Sequence, residues 1–243
     1  MSQFFWSAED YAVGDVPDDF WRVDLGVLAI EIKQDVNGLK YMEVSGPDKE
    51  RAFLSVIGAG ADVENAEIWA RFMSTDSGSN FSFSQRATGV TDSLTIYDLR
   101  MTYQDAANQN KLEYYSSAPD PAANDSTIVI GSKTLASQTL VPGTNVLAEQ
   151  RGLVNLQDIK GKWWAAADPE PAAWSLEGTQ STINGAGRAG IFSFRPYSYR
   201  IYAYGLGTNG DPAPTTTVAT GPVTPINLTT TNIMPTSARL GWE

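Results

Sequence analysis

Alternation of apolar and polar residues with a period of two, interrupted by turn formers at intervals of roughly 8–15 residues, constrains this chain more than any other feature. It runs through residues 23–33 (VDLGVLAIEIK), 40–44 (KYMEV), 52–57 (AFLSVI), 80–85 (NFSFSQ), 93–103 (SLTIYDLRMTY) and 111–115 (KLEYY). It continues through 126–130 (STIVI), 152–156 (GLVNL), 162–166 (KWWAA), 188–194 (RAGIFSF) and 199–205 (YRIYAYG). Successive side chains of a strand point to opposite faces, so such segments present one face to a core and one outward. Residues 35–38 (DVNG) join the first two as a hairpin turn. Residues 66–73 (AEIWARFM) read as a strand, although a two-turn helix fits nearly as well, because short runs do not separate the two periods. Capped helical patterns are scarce. The expectation is an all-β fold: a two-sheet antiparallel sandwich.

The chain has no cysteine and no histidine. Disulfide frameworks and thiolate metal sites are thereby excluded, as are imidazole zinc sites and catalysis by a histidine base. An enzyme built on this sequence would rest on carboxylates, lysine, tyrosine or a hard cation. A formal net charge of −11 argues against nucleic acid as a partner, since phosphate neutralisation needs a basic surface. No apolar run is long enough to span a bilayer, so membrane insertion is not expected. The opening segment MSQFFWSAEDYAVGD lacks the basic and apolar regions of a secretory signal.

Composition shifts after residue 207. Residues 208–224 are rich in Pro, Gly and Thr and read as a linker. Residues 225–243 follow, with Pro225, Ile226 and Leu228, a Thr-rich turn, and alternation from Ser237 to Trp242. This resembles the first two strands of a fibronectin type III module, whose complete sandwich needs roughly 100 residues. The expectation is three parts: a domain over 1–207, a linker over 208–224, and the truncated start of a fibronectin type III-like domain over 225–243.

Two further stretches carry a second resemblance. FFWSAEDYAVGDVPDDFWRV sets Gly14, Pro17 and Trp21 in an entry pattern, and GKWWAAADPEPAAWSLEGTQSTINGAGRAGIFSF reads as a late hairpin with a rigid DPEPAAW connection. With the closing segment YRIYAYGLGTNGDPAP, they resemble the concanavalin A-like lectin/glucanase jelly roll, and more narrowly its version in phage tail and tail-fibre proteins. The resemblance implies that the closing strand pairs beside the first. It also implies that Gly187 and Gly190 admit another backbone or a large ring. The function it implies is that of a non-enzymatic virion component: a tail-fibre or tail-tip attachment module with host-glycan adhesion. Its partners would be other phage tail proteins and copies of itself, a trimer among the arrangements. A secreted carbohydrate-binding module of a polysaccharide-degrading enzyme is the alternative.

Three constellations bear on chemistry. Glucanases of this fold resemble one another in a Glu-x-Asp-x-Glu strand, and no such triplet occurs here. Glu64 with Glu67, Asp48 with Glu50, and Glu31 alone have neither its spacing nor its setting. No catalytic residue is therefore assigned. Asp15, Asp18 and Asp19, and Asp120, Asn124 and Asp125, offer oxygens of the kind calcium takes; neither set follows a known loop register and Asp18 and Asp19 read as turn formers, so no metal is assigned and calcium stays the alternative. Aromatic rings concentrate in the last third: Trp163, Trp164, Trp174, Tyr197, Tyr199, Tyr202 and Tyr204. Strand alternation puts one of Trp163 and Trp164 in the core and the other outward, and places Tyr202 and Tyr204 on one face opposite Ile201 and Ala203. These rings fill a core or subunit interface, or form a sugar platform; Trp163, Trp164, Trp174, Tyr202 and Tyr204 are the candidate ligand-binding residues.

Overall fold

The computed structural model describes residues 2–25, 29–45, 51–56, 62–74, 80–88, 95–104, 109–118, 126–135, 147–179, 185–194 and 199–215. Fifteen strands are found there, in chain order β1 (Ser2–Ser7), β2 (Phe20–Leu25), β3 (Ala29–Gln34), β4 (Lys40–Ser45), β5 (Arg51–Val56), β6 (Ala66–Ser74), β7 (Asn80–Thr88) and β8 (Thr95–Gln104). The rest are β9 (Gln109–Ala118), β10 (Ser126–Leu135), β11 (Ala148–Asn155), β12 (Asp158–Ala165), β13 (Leu176–Thr179), β14 (Arg188–Phe194) and β15 (Tyr199–Thr208). The helical element described is a single 3-10 turn, Ala8–Asp10, so no helix among the described residues could cross a membrane.

All pairings are antiparallel, in two sheets. The first runs β13-β12-β11-β6-β15-β4-β3, and the second β10-β9-β8-β7-β14-β5-β2. Strand β15 pairs along one edge with β6; its other edge is shared by β4 at its start and β1 at its end. The last strand thus lies beside the first, as expected. The core sits between the sheets, where Ile68, Phe72, Trp163, Ile201 and Tyr204 of the first meet Phe20, Phe83 and Ile191 of the second. At one end Trp6, Phe20 and Tyr204 pack edge to face, with ring centroids 5.4 and 6.0 Å apart. The two-sheet all-β sandwich expected from the alternation, with the jelly-roll form that the resemblance implied, is the observed fold.

Two local readings change and one holds. The continuous run at 23–33 is two strands, β2 in the second sheet and β3 in the first, because an apolar stretch carries no mark of the point where a chain changes sheets. Residues 66–74 are strand, and both faces of it are covered: Ile68 and Trp69 are each fully buried. Strand β15 carries a bulge, since Ile201 pairs with Phe72 and Ala203 with Arg71. The extra residue, Tyr202, shifts the phase, so Ile201 and Tyr204 share the core face while Ala203 faces outward. Tyr202 and Tyr204 therefore do not share a face.

Close approach explains Gly187, as anticipated. A Cβ there would lie 2.5 Å from the backbone carbon of Arg86, and Gly187 itself forms an antiparallel bridge with Val63. The segment proposed as a fibronectin-like start lies outside the described residues, as do Asp120, Asn124, Asp125 and Tyr197.

Candidate functional site

The outer face of the first sheet follows from its register. Residues directly opposite one another in antiparallel strands share a face. One row therefore reads Lys162, Arg151, Trp69, Gly205, and the next Lys160, Leu153, Glu67, Gly207. Chain 211–215 lies across the two glycines like a strap. A Cβ on Gly207 would stand 2.6 Å from the carbonyl carbon of Pro212, and one on Gly205 would be 3.2 Å from that of Pro214, with the Pro214 oxygen closer still. Only a hydrogen in place of a side chain leaves room for this backbone.

Polar side chains fasten the strap. Gln3 Nε2 donates to the Pro212 carbonyl at 2.7 Å, Arg151 Nη1 donates to the Ala213 carbonyl at 3.2 Å, and the Ala213 amide donates to Glu67 Oε1 at 3.2 Å. Beneath Ala213 a second apolar cluster forms from Trp69, Trp164 and Ala203, with Phe5 packed against it. The sheet thus has buried aromatics on both sides.

Beside the strap a cavity of about 420 Å³ is lined by Gln3, Glu67, Arg151, Lys162, Glu170 and Trp174 together with the strap. Strands β11 and β12 supply Arg151 and Lys162; the loop 166–175 supplies Glu170 and Trp174. That loop is held by Lys162 Nζ donating to the Pro171 carbonyl at 2.8 Å and by the Ser175 amide donating to the Gly161 carbonyl. The Lys162 ammonium also sits 4.9 Å from the centre of the Trp174 ring, which is partly exposed.

Charge in this cavity is closed on itself. Arg151 grips Glu170 with two nitrogens, at 2.8 and 3.1 Å, and pairs with Glu67 through a third; Lys162 reaches Glu170 at 2.7 Å. Burial pushes the Glu170 carboxyl upward, but the hydrogen bonds and charges of Arg151 and Lys162 outweigh it and hold it below the ordinary carboxylate range. Glu170 is therefore ionised at neutral pH and bound as an ion-pair acceptor. A general acid needs a carboxyl kept protonated, commonly by an apolar pocket, and this one is stabilised in the opposite form.

The five aromatic candidates separate. Trp163 lies in the inter-sheet core and is 1 % exposed; Trp164 takes the opposite face, as alternation required, but is covered by the strap. Tyr204 is fully buried in the core, and its hydroxyl has no hydrogen-bond partner among the described residues; burial drives it strongly upward from its ordinary value. Tyr202 is largely buried against Tyr41, with ring centroids 5.7 Å apart, and its hydroxyl is 3.5 Å from Asp35 Oδ2. Trp174 lines the cavity beside the strap. Tyr199 belongs to the core.

Arg151, Lys162 and Glu170, with Gln3, carry the site, and sequence reading did not select them. Glu67 was weighed there only as a partner for Glu64, yet the structure gives it to Arg151. Asp15, Asp18 and Asp19 do not converge on an ion site: Asp15 accepts from the Ala12 amide at 2.8 Å, and its carbonyl accepts from Ile32. Among the described residues no three carboxylates stand together in a group able to hold a metal. Glu31 sits on β3, exposed, near Lys33.

The fold is an all-β jelly-roll sandwich of two antiparallel sheets, with this cavity on the outer face of the first. No protein-family model matches the chain, and no curated protein sequence matches it. Among solved structures it is similar to the carbohydrate recognition domain of Emp46p in its potassium-bound form, at 10 % identity and a TM-score of 0.52, over 77 % of this chain and 88 % of that one. It is also similar to a GH16 protein from the Bacteroides ovatus mixed-linkage glucan PUL, solved with a G4G4G3G product, at 9 % identity and a TM-score of 0.50, over 73 % and 85 %. At these identities the likeness establishes the fold.

Proposed function

We propose that this chain is a non-catalytic component of a phage virion, a tail-fibre or tail-tip protein whose jelly roll attaches and recognises glycan. The cavity beside Trp174 is its sugar contact. One observation carries the recognition reading: a partly exposed indole stands beside carboxylates that are already committed to ion pairs. Such a site offers a stacking face and fixed hydrogen-bond acceptors but no proton to transfer. The virion reading draws on the resemblance of the entry and late-hairpin segments and on a chain without cysteine or histidine. In this reading the part of 208–224 that follows the strap links the sandwich to a fibronectin-like module beginning at 225, and the protein sits in the phage tail, self-associating or bound to other tail proteins.

Two measurements test it. On a glycan array the wild-type protein binds at least one host-surface glycan, and Trp174→Ala abolishes that signal while the melting temperature stays within a few degrees. Mass spectrometry of purified virions finds the chain in the particle. Binding confined to plant or algal polysaccharide, with no virion association, replaces the tail reading with a secreted carbohydrate-binding module. Sugar release from a polysaccharide panel would sink the non-catalytic assignment.

A further inference from the structure

The tip of the β11–β12 hairpin carries a second cavity, of about 440 Å³, lined by Glu64, Arg86, Asn155, Leu156, Gln157, Asp158 and Gly185. It differs from the Trp174 cavity in one respect that bears on ligands. Around Trp174 the charged groups satisfy one another. Here the Asn155 and Gln157 amides and the Glu64 carboxylate make no hydrogen bond or ion pair among the described residues, and all are exposed. We propose that this hairpin tip is a second binding site, for a neutral saccharide unit.

Backbone strain marks the same place. Four residues other than glycine have left-handed backbone among the described residues, and two of them, Arg86 (φ 54°) and Leu156 (φ 54°), line this cavity. A leucine in that conformation is disfavoured by its Cβ, and a hairpin turn would ordinarily use Asn or Gly there. Leu156 is also 61 % exposed. The fold holds it nonetheless. The Asn65 side chain accepts from the Leu156 amide at 2.7 Å, and the Arg86 guanidinium donates to the Leu156 carbonyl at 2.6 Å and to the Glu64 carbonyl at 2.9 Å. A strained, exposed apolar residue pinned from both sides signals a functional demand.

The lining chemistry selects the ligand class. Leu156 supplies an apolar patch for the C–H face of a sugar ring. Amide and carboxylate groups around it supply donors and acceptors for hydroxyls. Glu64 and Asp158 outnumber the single guanidinium of Arg86, so an anionic ligand is repelled. Arg86 lies beneath them with its donors on backbone carbonyls, which opposes a metal ion at the same point. The ligand class follows the recognition reading above, whereas the site itself rests on geometry independent of Trp174.

Amide NMR spectra of the full chain, titrated with cellopentaose, maltopentaose, xylopentaose and trigalacturonate, test it. At least one neutral probe shifts the backbone amides of residues 155–158 and the Gln157 side-chain amide, and trigalacturonate does not. Leu156→Asn, which suits left-handed backbone, keeps the melting temperature at or above wild type and weakens that binding about tenfold. Silence of these amides with every neutral probe, or a response to trigalacturonate alone, overturns the proposal. The Trp174 indole resonance separates the two sites. If it responds while the hairpin tip is silent, this inference fails and the first site stands; the reverse removes the first site and keeps this one.

Discussion

Replacing Gly207 by alanine forces a choice on the strap. The new Cβ would meet Pro212 carbonyl atoms at 2.6 and 2.7 Å, where carbon contacts settle at about 3.5 Å, so the backbone of 211–215 must rise by roughly 1 Å. Hydrogen bonds do not survive such a shift. The bonds lost are those from Gln3 to Pro212, from Arg151 to Ala213 and from Ala213 to Glu67. Each contributes about 1 kcal/mol net, the charge-assisted ones less than their usual value here because the Arg151–Glu67 pair persists without the strap. Uncovering Ala213, which is 4 % exposed, adds about 1 kcal/mol. The expected loss is about 3–4 kcal/mol, read as a lowered urea midpoint with a red shift of tryptophan emission as Trp69 and Trp164 meet water. The loss has a ceiling, because the strap can leave altogether. Gly205→Ala combined with Gly207→Ala should therefore be scarcely worse than either alone. In a chain ending at Gly210, Gly207→Ala should change stability by less than about 0.5 kcal/mol in either direction. Equal destabilisation with and without residues 211–243 would refute the reasoning and move the cause into the sheet itself.

Tyr204→Phe should raise stability by about 1–2 kcal/mol in thermal melts, since it removes a buried hydroxyl with no partner among the described residues; a loss of similar size would reveal a hidden acceptor or bound water. Arg151→Met should destabilise by about 3 kcal/mol, leaving Glu67 uncompensated and Glu170 dependent on Lys162; a neutral result in denaturant titrations would show the carboxylates reaching water instead. Glu170 has a folded-state pKa below its ordinary 4.5, so the stability it contributes is complete above that value and fades as pH falls through the lower one. Glu170→Gln should accordingly flatten the acid limb of a stability–pH curve below about pH 4.5; superimposable acid limbs would rule out the linkage.

The sandwich was legible because alternation is a property of each segment on its own. Strands β4, β6, β14 and β15 all coincide with runs read from sequence. What failed was information held between segments. The bulge at Tyr202 escaped because β15 is buried on both faces from Ile201 to Thr208, so no polar residue marks the change of phase. Strand β13, four residues long after a proline-rich loop, is too short to show a period. In the site, Trp174 could be named from residue type alone. Arg151 and Glu67 could not, being 84 positions apart and adjacent only through the register of β11 with β6. Gly205 and Gly207 looked like ordinary strand glycines until the backbone above them was seen.

The strap also decides how the sandwich would bear tension. Ser2 pairs with Thr208, so a pull between those two residues would peel β1 from β15 one hydrogen bond at a time, the weakest way to load a ladder. The chain does not leave from Thr208. It turns at Asn209 and Gly210 and runs back over β15 until Pro214 lies above Gly205. Force arriving along residues beyond 215 therefore meets the Arg151–Glu67 clasp first and enters the sheet in mid-strand, where β6 and β1 share it. A clasp of this kind converts the end of a domain from a zipper pull into an anchored hinge.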